Sequence, residues 1–268
     1  MKRREFMAAS TVAGLAFGSS AAMSGEGPKP AKELIELRLY QFASIEKQKA
    51  FDEFLAKVGI PALNRAGVAA VGAFKILKDD NPALKLEADS PNLYVLLPHK
   101  SPEAFAGVPA RLAGDKVFRE EGKPILEAPK ADPAFVRYES SLLLAFDNFP
   151  RVETPAKSAS RLFQLRIYES HNCERALKKI AMFNEGGEIE IFHRCAMTPV
   201  FFGQTLIGSK QPNLTYMLGF ESKEAMDKGW AAFRKDAGWL KLKDDTAYTD
   251  TVSTITNIIL HPAACSQI

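Results

Sequence analysis

Residues 35–42 read IELRLYQF, and residues 163–170 read FQLRIYES. Both segments alternate apolar with polar or aromatic side chains, and both set an Arg two places before a Tyr. A period of two is the signature of a β-strand with two unlike faces. Finding that strand twice, 128 positions apart, makes the chain a tandem duplication.

The repetition runs on from there. PNLYVLLPHKSPEAF (91–105) is answered by PNLTYMLGFESKEAM (212–226), and VFREEGKPIL (117–126) more faintly by AFRKDAGWLKL (232–242). Each copy closes on an apolar run, SSLLLAF at 140–146 and TITNIIL at 254–260. The offset between matched points shrinks along the chain, so the first copy holds extra residues. The polar stretch DNFPRVETPAKSAS (147–160), with two prolines, reads as a linker. The repeats are thus 31–146 and 161–268, too few for a solenoid and suited to two equivalent units packed together.

Inside the second copy the hydrophobic period changes in order. Residues 163–169 alternate as a strand. Asn172 can cap a helix with Leu177, Ile180 and Phe183 or Asn184 on one face, and Gly186-Gly187 interrupts it before a short turn over Glu188–Arg194. PVFFGQTLIG (199–208) and LTYMLGF (214–220) read as strands. Ser222 can cap a second helix with Met226, Trp230 and Phe233 in one stripe, and STITNIIL (253–260) is a last strand. Ser101-Pro102 gives the first copy the same start signal. The order β-α-β-β-α-β is the ferredoxin-like unit. Its helices cover one face of the sheet, so the other face needs a cover, and a second copy packed sheet to sheet supplies one. The predicted class is α+β, two ferredoxin-like units closed into an intramolecular, pseudo-dimeric α/β barrel.

EIFHRCAMTPVFFGQTLIG, PNLTYMLGFES, GWLKL (238–242), QLRIYES and IILHPAACSQI resemble the second half of bacterial NIPSNAP-domain proteins. IELRLYQF and GVAAVGAF (67–74) carry a weaker likeness into the first copy. The resemblance implies the dimeric α/β-barrel form of the ferredoxin-like fold and an activity that is not defined. The chain departs from the family pattern at Ala196, where a glycine is expected.

Leu37 and Leu39 share one strand face, as do Leu165 and Ile167, and are expected under the helices. Arg38, Tyr40, Arg166 and Tyr168 are then expected on the opposite face, between the two sheets. A buried arginine needs a partner. One reading is an internal ion pair with Glu36, Glu139 or Glu169. The other is a pocket offering guanidinium and phenol groups to an anionic or oxygen-rich small molecule, with turnover such as oxygenation or isomerisation as its extension. A non-enzymatic scaffold with a filled barrel is the alternative to both. Glu190 and His193, three residues apart, have the composition of an acid/base or metal pair, although a surface pair is the plainer reading; His171 follows the first strand of its copy at an expected barrel mouth. Trp230, Trp239 and Phe233 read as helix core, one of Phe201 and Phe202 must face inward, and His261-Pro262 reads as a turn. No metal or cofactor motif is present, so no cofactor is identified and none is expected.

Met1–Ala22 has the order of a twin-arginine export signal: Arg3-Arg4, then Phe6, a mildly apolar run and Ser20-Ala21-Ala22 as a cleavage site. The expected location is the periplasm or outside the cell. Removing the leader takes away three basic residues and one acidic one from a chain of net charge +3. The remaining near-neutral balance argues against a nucleic-acid or membrane surface. Cys173, Cys195 and Cys265 match no disulfide or metal framework and read as small buried hydrophobes. Self-association is left open, because closing the barrel within one chain makes pairing of chains unnecessary.

Overall fold

The computed structural model describes residues 30–154 and 158–268, so the leader read over 1–22 lies outside the described residues. In the first repeat, β1 (Leu34–Gln41) leads to α1 (Ile45–Phe54), which runs through a π-helical turn (Leu55–Gly59) into α2 (Ile60–Arg65). Then come β2 (Gly72–Lys75), β3 (Leu93–His99), α3 (Pro102–Gly114), α4 (Lys116–Glu121), α5 (Lys123–Leu126) and β4 (Arg137–Ala145). The second repeat answers with β5 (Leu162–Glu169), α6 (Cys173–Asn184), α7 (Glu188–Arg194), β6 (Thr198–Ile207) and β7 (Asn213–Phe220). It ends with α8 (Lys223–Phe233), α9 (Ala237–Lys243) and β8 (Thr254–Pro262). Ser44, Ser101, Asn172 and Ser222 each accept a hydrogen bond from the amide three residues on, so α1, α3, α6 and α8 start by the same device.

Each repeat forms a four-stranded antiparallel sheet, ordered β4-β1-β3-β2 and β8-β5-β7-β6, and the two close into one eight-stranded barrel. The seams differ. At β4·β6 four residue pairs meet around a bulge; Gly203 lies so close to β4 that a Cβ there would sit 2.9 Å from that of Leu143. At β2·β8 only Phe74↔Pro262 and Lys75↔His261 pair. Beyond β8 the chain continues along β2: Ala263 N donates to Ala73 O, Gln267 N donates to Val71 O, and the Ile268 side chain is buried in the barrel.

The barrel interior is packed with apolar side chains, among them Ile35, Leu37, Phe163, Leu165, Phe201 and Leu260. Phe74 meets Phe163 edge-on across it, with centroids 5.0 Å apart. The strand faces are therefore the reverse of the sequence expectation. Leu37 and Leu165 point into the barrel, whereas Tyr40 packs with α1 residues and Tyr168 with those of α6 and α7. An eight-stranded barrel is just wide enough to be filled by side chains, and its centre is the driest place in the molecule. The more apolar set of β1 and of β5 goes there. The set containing Glu36, Arg38 and Tyr40 goes under the helices, where hydrogen-bond partners and partial solvent remain. Phe201 and Phe202 split between the two layers as their alternation requires.

Three local expectations are corrected. Leu177 is exposed, and the buried stripe of α6 is Ala176, Lys179, Met182 and Phe183. His261 lies within β8 rather than in a turn. Of the cysteines only Cys195 is a buried hydrophobe; Cys173 is exposed, Cys265 is half-buried, and all three are free. Ala196 has φ +56°, the left-handed region that favours the glycine expected there. The linker is partly pinned to the body: Glu33 N donates to Pro150 O, Glu153 N donates to Val200 O, and Phe149 is buried.

Candidate functional site

The outer face of the second sheet and its helices enclose a cavity of about 880 Å³. β5 puts Gln164, Arg166 and Tyr168 on its floor by simple alternation, and β8 adds Ile255, Asn257 and Ile259. The roof comes from Trp230 and Phe233 on α8 and from Trp239 on α9. Ile255 is 50% exposed and Asn257 is exposed, so the cavity opens toward the beginning of β8.

One wall belongs to the other repeat. Part of the extra length of the first copy lies in the long β2–β3 connection, whose residues Asp80–Ala83 line the cavity. Asn81 fixes them there. Its Nδ2 donates to Ile259 O and Leu77 O, and its Oδ1 accepts from Ile259 N, as a strand neighbour would do. Asp80 adds contacts at 2.6 Å with Lys223 and 2.8 Å with His261.

The two sequence-matched arginines have different fates. In the first repeat Arg38 Nε donates to Glu36 Oε1 at 2.6 Å and Nη2 donates to Oε2 at 3.1 Å. Ser140 Oγ donates to the same carboxylate, and His99 Nε2 lies 3.2 Å from it. Burial alone would raise the Glu36 carboxyl, but the bonds from His99, Arg38 and Ser140 outweigh it and hold the pKa at about 2. Of the acids considered from the sequence, Glu36 is the partner. Glu139 instead accepts from Gln41, and Glu169 faces Lys210 at 3.6 Å. The cavity beside Arg38 is about 270 Å³ and lined mainly by Phe and Leu side chains.

In the second repeat the place of Glu36 is taken by Gln164, which is held aside. Its Nε2 donates to Asn257 Oδ1 at 2.8 Å, and its Oε1 accepts from Trp230 Nε1 at 2.7 Å. Among the described residues no carboxylate lies within ion-pair distance of Arg166, and its buried Nε has no hydrogen-bond partner. The guanidinium packs over Trp230 at 4.7 Å and Tyr168 at 5.3 Å. Tyr168 and Tyr216 join hydroxyls at 2.9 Å, and burial pushes the Tyr216 phenol well up.

Beside it stands a pair that the sequence reading missed. Lys179 donates to Glu188 at 2.8 Å, both side chains nearly fully buried, with the ammonium 4.9 Å from the Phe183 ring centre. The first repeat has Phe51 where the second has Lys179. The signal was present: a lysine between Ala176, Met182 and Phe183 falls on the apolar stripe of its helix. The other sequence candidates stand apart from the cavity. His193 and Glu190 are exposed and form no pair with each other among the described residues. His171 is exposed with Asp250 at 3.9 Å.

The closed eight-stranded barrel, built of two β-α-β-β-α-β repeats with a polar cleft between one sheet and its helices, defines a tandem ferredoxin-like α/β-barrel protein. Residues 163–267, the second repeat, match the NIPSNAP family model. Among solved structures, one from Lactobacillus acidophilus described as a candidate monooxygenase superposes with a TM-score of 0.59 at 10% identity, over 87% of this chain and 95% of that one. One from Fusobacterium nucleatum with the same description gives a TM-score of 0.58 at 8% identity, over 87% and 93%. At such identities the likeness is one of fold. A NIPSNAP family protein of unknown function from Agrobacterium tumefaciens is 22% identical over 41% of this chain and 95% of its own, with a TM-score of 0.34. No curated protein matches the chain.

Proposed function

We propose that the second repeat binds a small anionic molecule with an apolar body in the cavity between its sheet and its helices, Arg166 receiving the charge. The site lies outside the barrel, not between the two sheets as the strand pattern alone suggested, because the space between the sheets is filled. The carrying observation is the buried, unpartnered Nε of Arg166 at the floor of a large cleft, set against Arg38, which the protein neutralises itself. Trp230, Phe233 and Trp239 give the cleft aromatic walls suited to a flat body. The buried Lys179–Glu188 pair supplies a proton donor and acceptor should the bound molecule be turned over, by isomerisation or by oxygenation. The reading includes export through Arg3-Arg4; cell fractionation tests it, and a double Lys replacement there is expected to hold the precursor in the cytoplasm.

Matched probes test the binding. 2-Naphthoate and 2-naphthyl phosphate carry a charge on the same bicyclic body as neutral 2-naphthol. A charged probe is expected to raise the melting temperature of the wild type, 2-naphthol is not, and Arg166→Gln is expected to weaken binding about 10- to 100-fold. Lack of any shift with both charged probes, under oxygen or without it, overturns the reading.

A further inference from the structure

Because the two repeats build the same strand with the same arginine, the first repeat shows what fits the second. Arg38 and Arg166 occupy equivalent positions, opposite Ser140 and Asn257 in their ladders. At Arg38 the occupant is a carboxylate lying along the Nε edge of the guanidinium, with two oxygens on two nitrogens. At Arg166 the corresponding Nε is buried and empty-handed, and the residue that would bring a carboxylate is an amide tied to Asn257 and Trp230. Resting on the binding reading above, we infer that Glu36 is an internal copy of the ligand's charged group. The ligand of the second repeat is therefore a monocarboxylate gripped by the Arg166 guanidinium, its covered Nε being bared as the ligand enters, and the chain has one open site and one that it has closed on itself.

Charge bookkeeping points to a single negative charge. Lys179 is neutralised by Glu188, Asp80 is shared by Lys223 and His261, and at the rim Arg234 faces the cavity with Asp227. Arg166 is left with one uncompensated positive charge at the floor. A planar carboxylate matches the guanidinium edge with two parallel hydrogen bonds, and a dianionic phosphate would carry excess charge into a partly dry cleft.

The test is Gln164→Glu, which gives the second repeat the acid of the first at the same spacing from its arginine. Calorimetry with 2-naphthoate is expected to show one site in the wild type, at least tenfold preference over 2-naphthyl phosphate, and at least tenfold weaker binding in Gln164→Glu. A second readout is independent of affinity and reports a folded protein. The Arg166 Nε–H resonance is expected to move downfield, toward that of Arg38, both when 2-naphthoate is added to the wild type and in ligand-free Gln164→Glu. Equal or tighter binding of 2-naphthyl phosphate, or an undiminished naphthoate affinity in Gln164→Glu, overturns the carboxylate assignment while leaving an anion cleft in place. Failure of both charged probes to bind removes the cleft and the assignment together.

Discussion

At the scale of single residues, the same Arg written twice has two opposite energetic meanings. Arg38 completes a buried ion pair, and removing one partner of such a pair leaves an uncompensated charge that costs about 3–5 kcal/mol. Arg166 has no anionic partner to abandon, and Met in its place would pack against Trp230 without a buried orphan donor. Arg38→Met is therefore expected to lower the unfolding free energy by that amount, and Arg166→Met to raise it by about 1 kcal/mol, both read by urea denaturation. The Glu36 carboxyl adds a pH signature. Its pKa is held at about 2 in the folded chain against an ordinary 4.5, so its contribution is complete above pH 4.5 and drains away as pH falls toward 2. The shift corresponds to about 3 kcal/mol. Denaturation midpoints measured across that interval are expected to fall more steeply in the wild type than in Glu36→Gln. The need for a partner at Arg38, and Glu36 as one of three acids able to meet it, were legible from the sequence. Alternation separated the two faces of the strand but could not say which was the drier, since that depends on the diameter of a barrel that neither strand describes alone.

At the scale of elements, the strands, the helix caps and their order were readable because each is a local signal: Asn172 and Ser222 cap the helices they precede, and the alternation of 163–169 is a strand. What local signals miss is where an insertion goes. The long β2–β3 connection appears in the sequence only as a drifting offset between repeats. In the structure it is the piece that closes the cavity wall. β2 leaves β8 after Lys75↔His261, and the next backbone groups of β8, those of Ile259, would be unpaired had Asn81 not supplied both a donor and an acceptor. Asn81→Ala is expected to cost about 2 kcal/mol by exposing those groups. It is also expected to weaken 2-naphthoate binding severalfold with Arg166 untouched, because the wall at Asp80–Ala83 loosens. A calorimetric titration alongside denaturation separates the two effects, and a loss of stability with unaltered affinity would show that the connection is a strut rather than a wall.

For the whole molecule, duplication and barrel closure are one fact. The interior of the barrel is assembled from both repeats: Leu37 and Phe74 from the first meet Phe163 and Leu260 from the second, and the chain end returns to pack Ile268 among them. The inner face of each sheet is mainly apolar, with Thr205, Asn213 and Thr215 hydrogen-bonded together at one end, so a repeat on its own would turn a broad apolar sheet surface to water. The seams add to this, since β4 pairs with β6 and β2 with β8, leaving two open edges on any half. The symmetry between repeats offers one escape: a second copy of the same half can stand in for the missing one. A protein consisting of residues 161–268 is accordingly expected to be a dimer, or to aggregate, and light scattering with size-exclusion chromatography distinguishes these from a monomer. In such a dimer both halves carry Arg166 and Gln164, so two clefts are formed, yet both lack the wall at Asp80–Ala83. The dimer is expected to bind 2-naphthoate at two sites, each weaker than the single site of the full chain. A stable, folded monomer of this half would mean that its inner face is covered by its own residues, and the barrel would no longer explain why the chain is written twice.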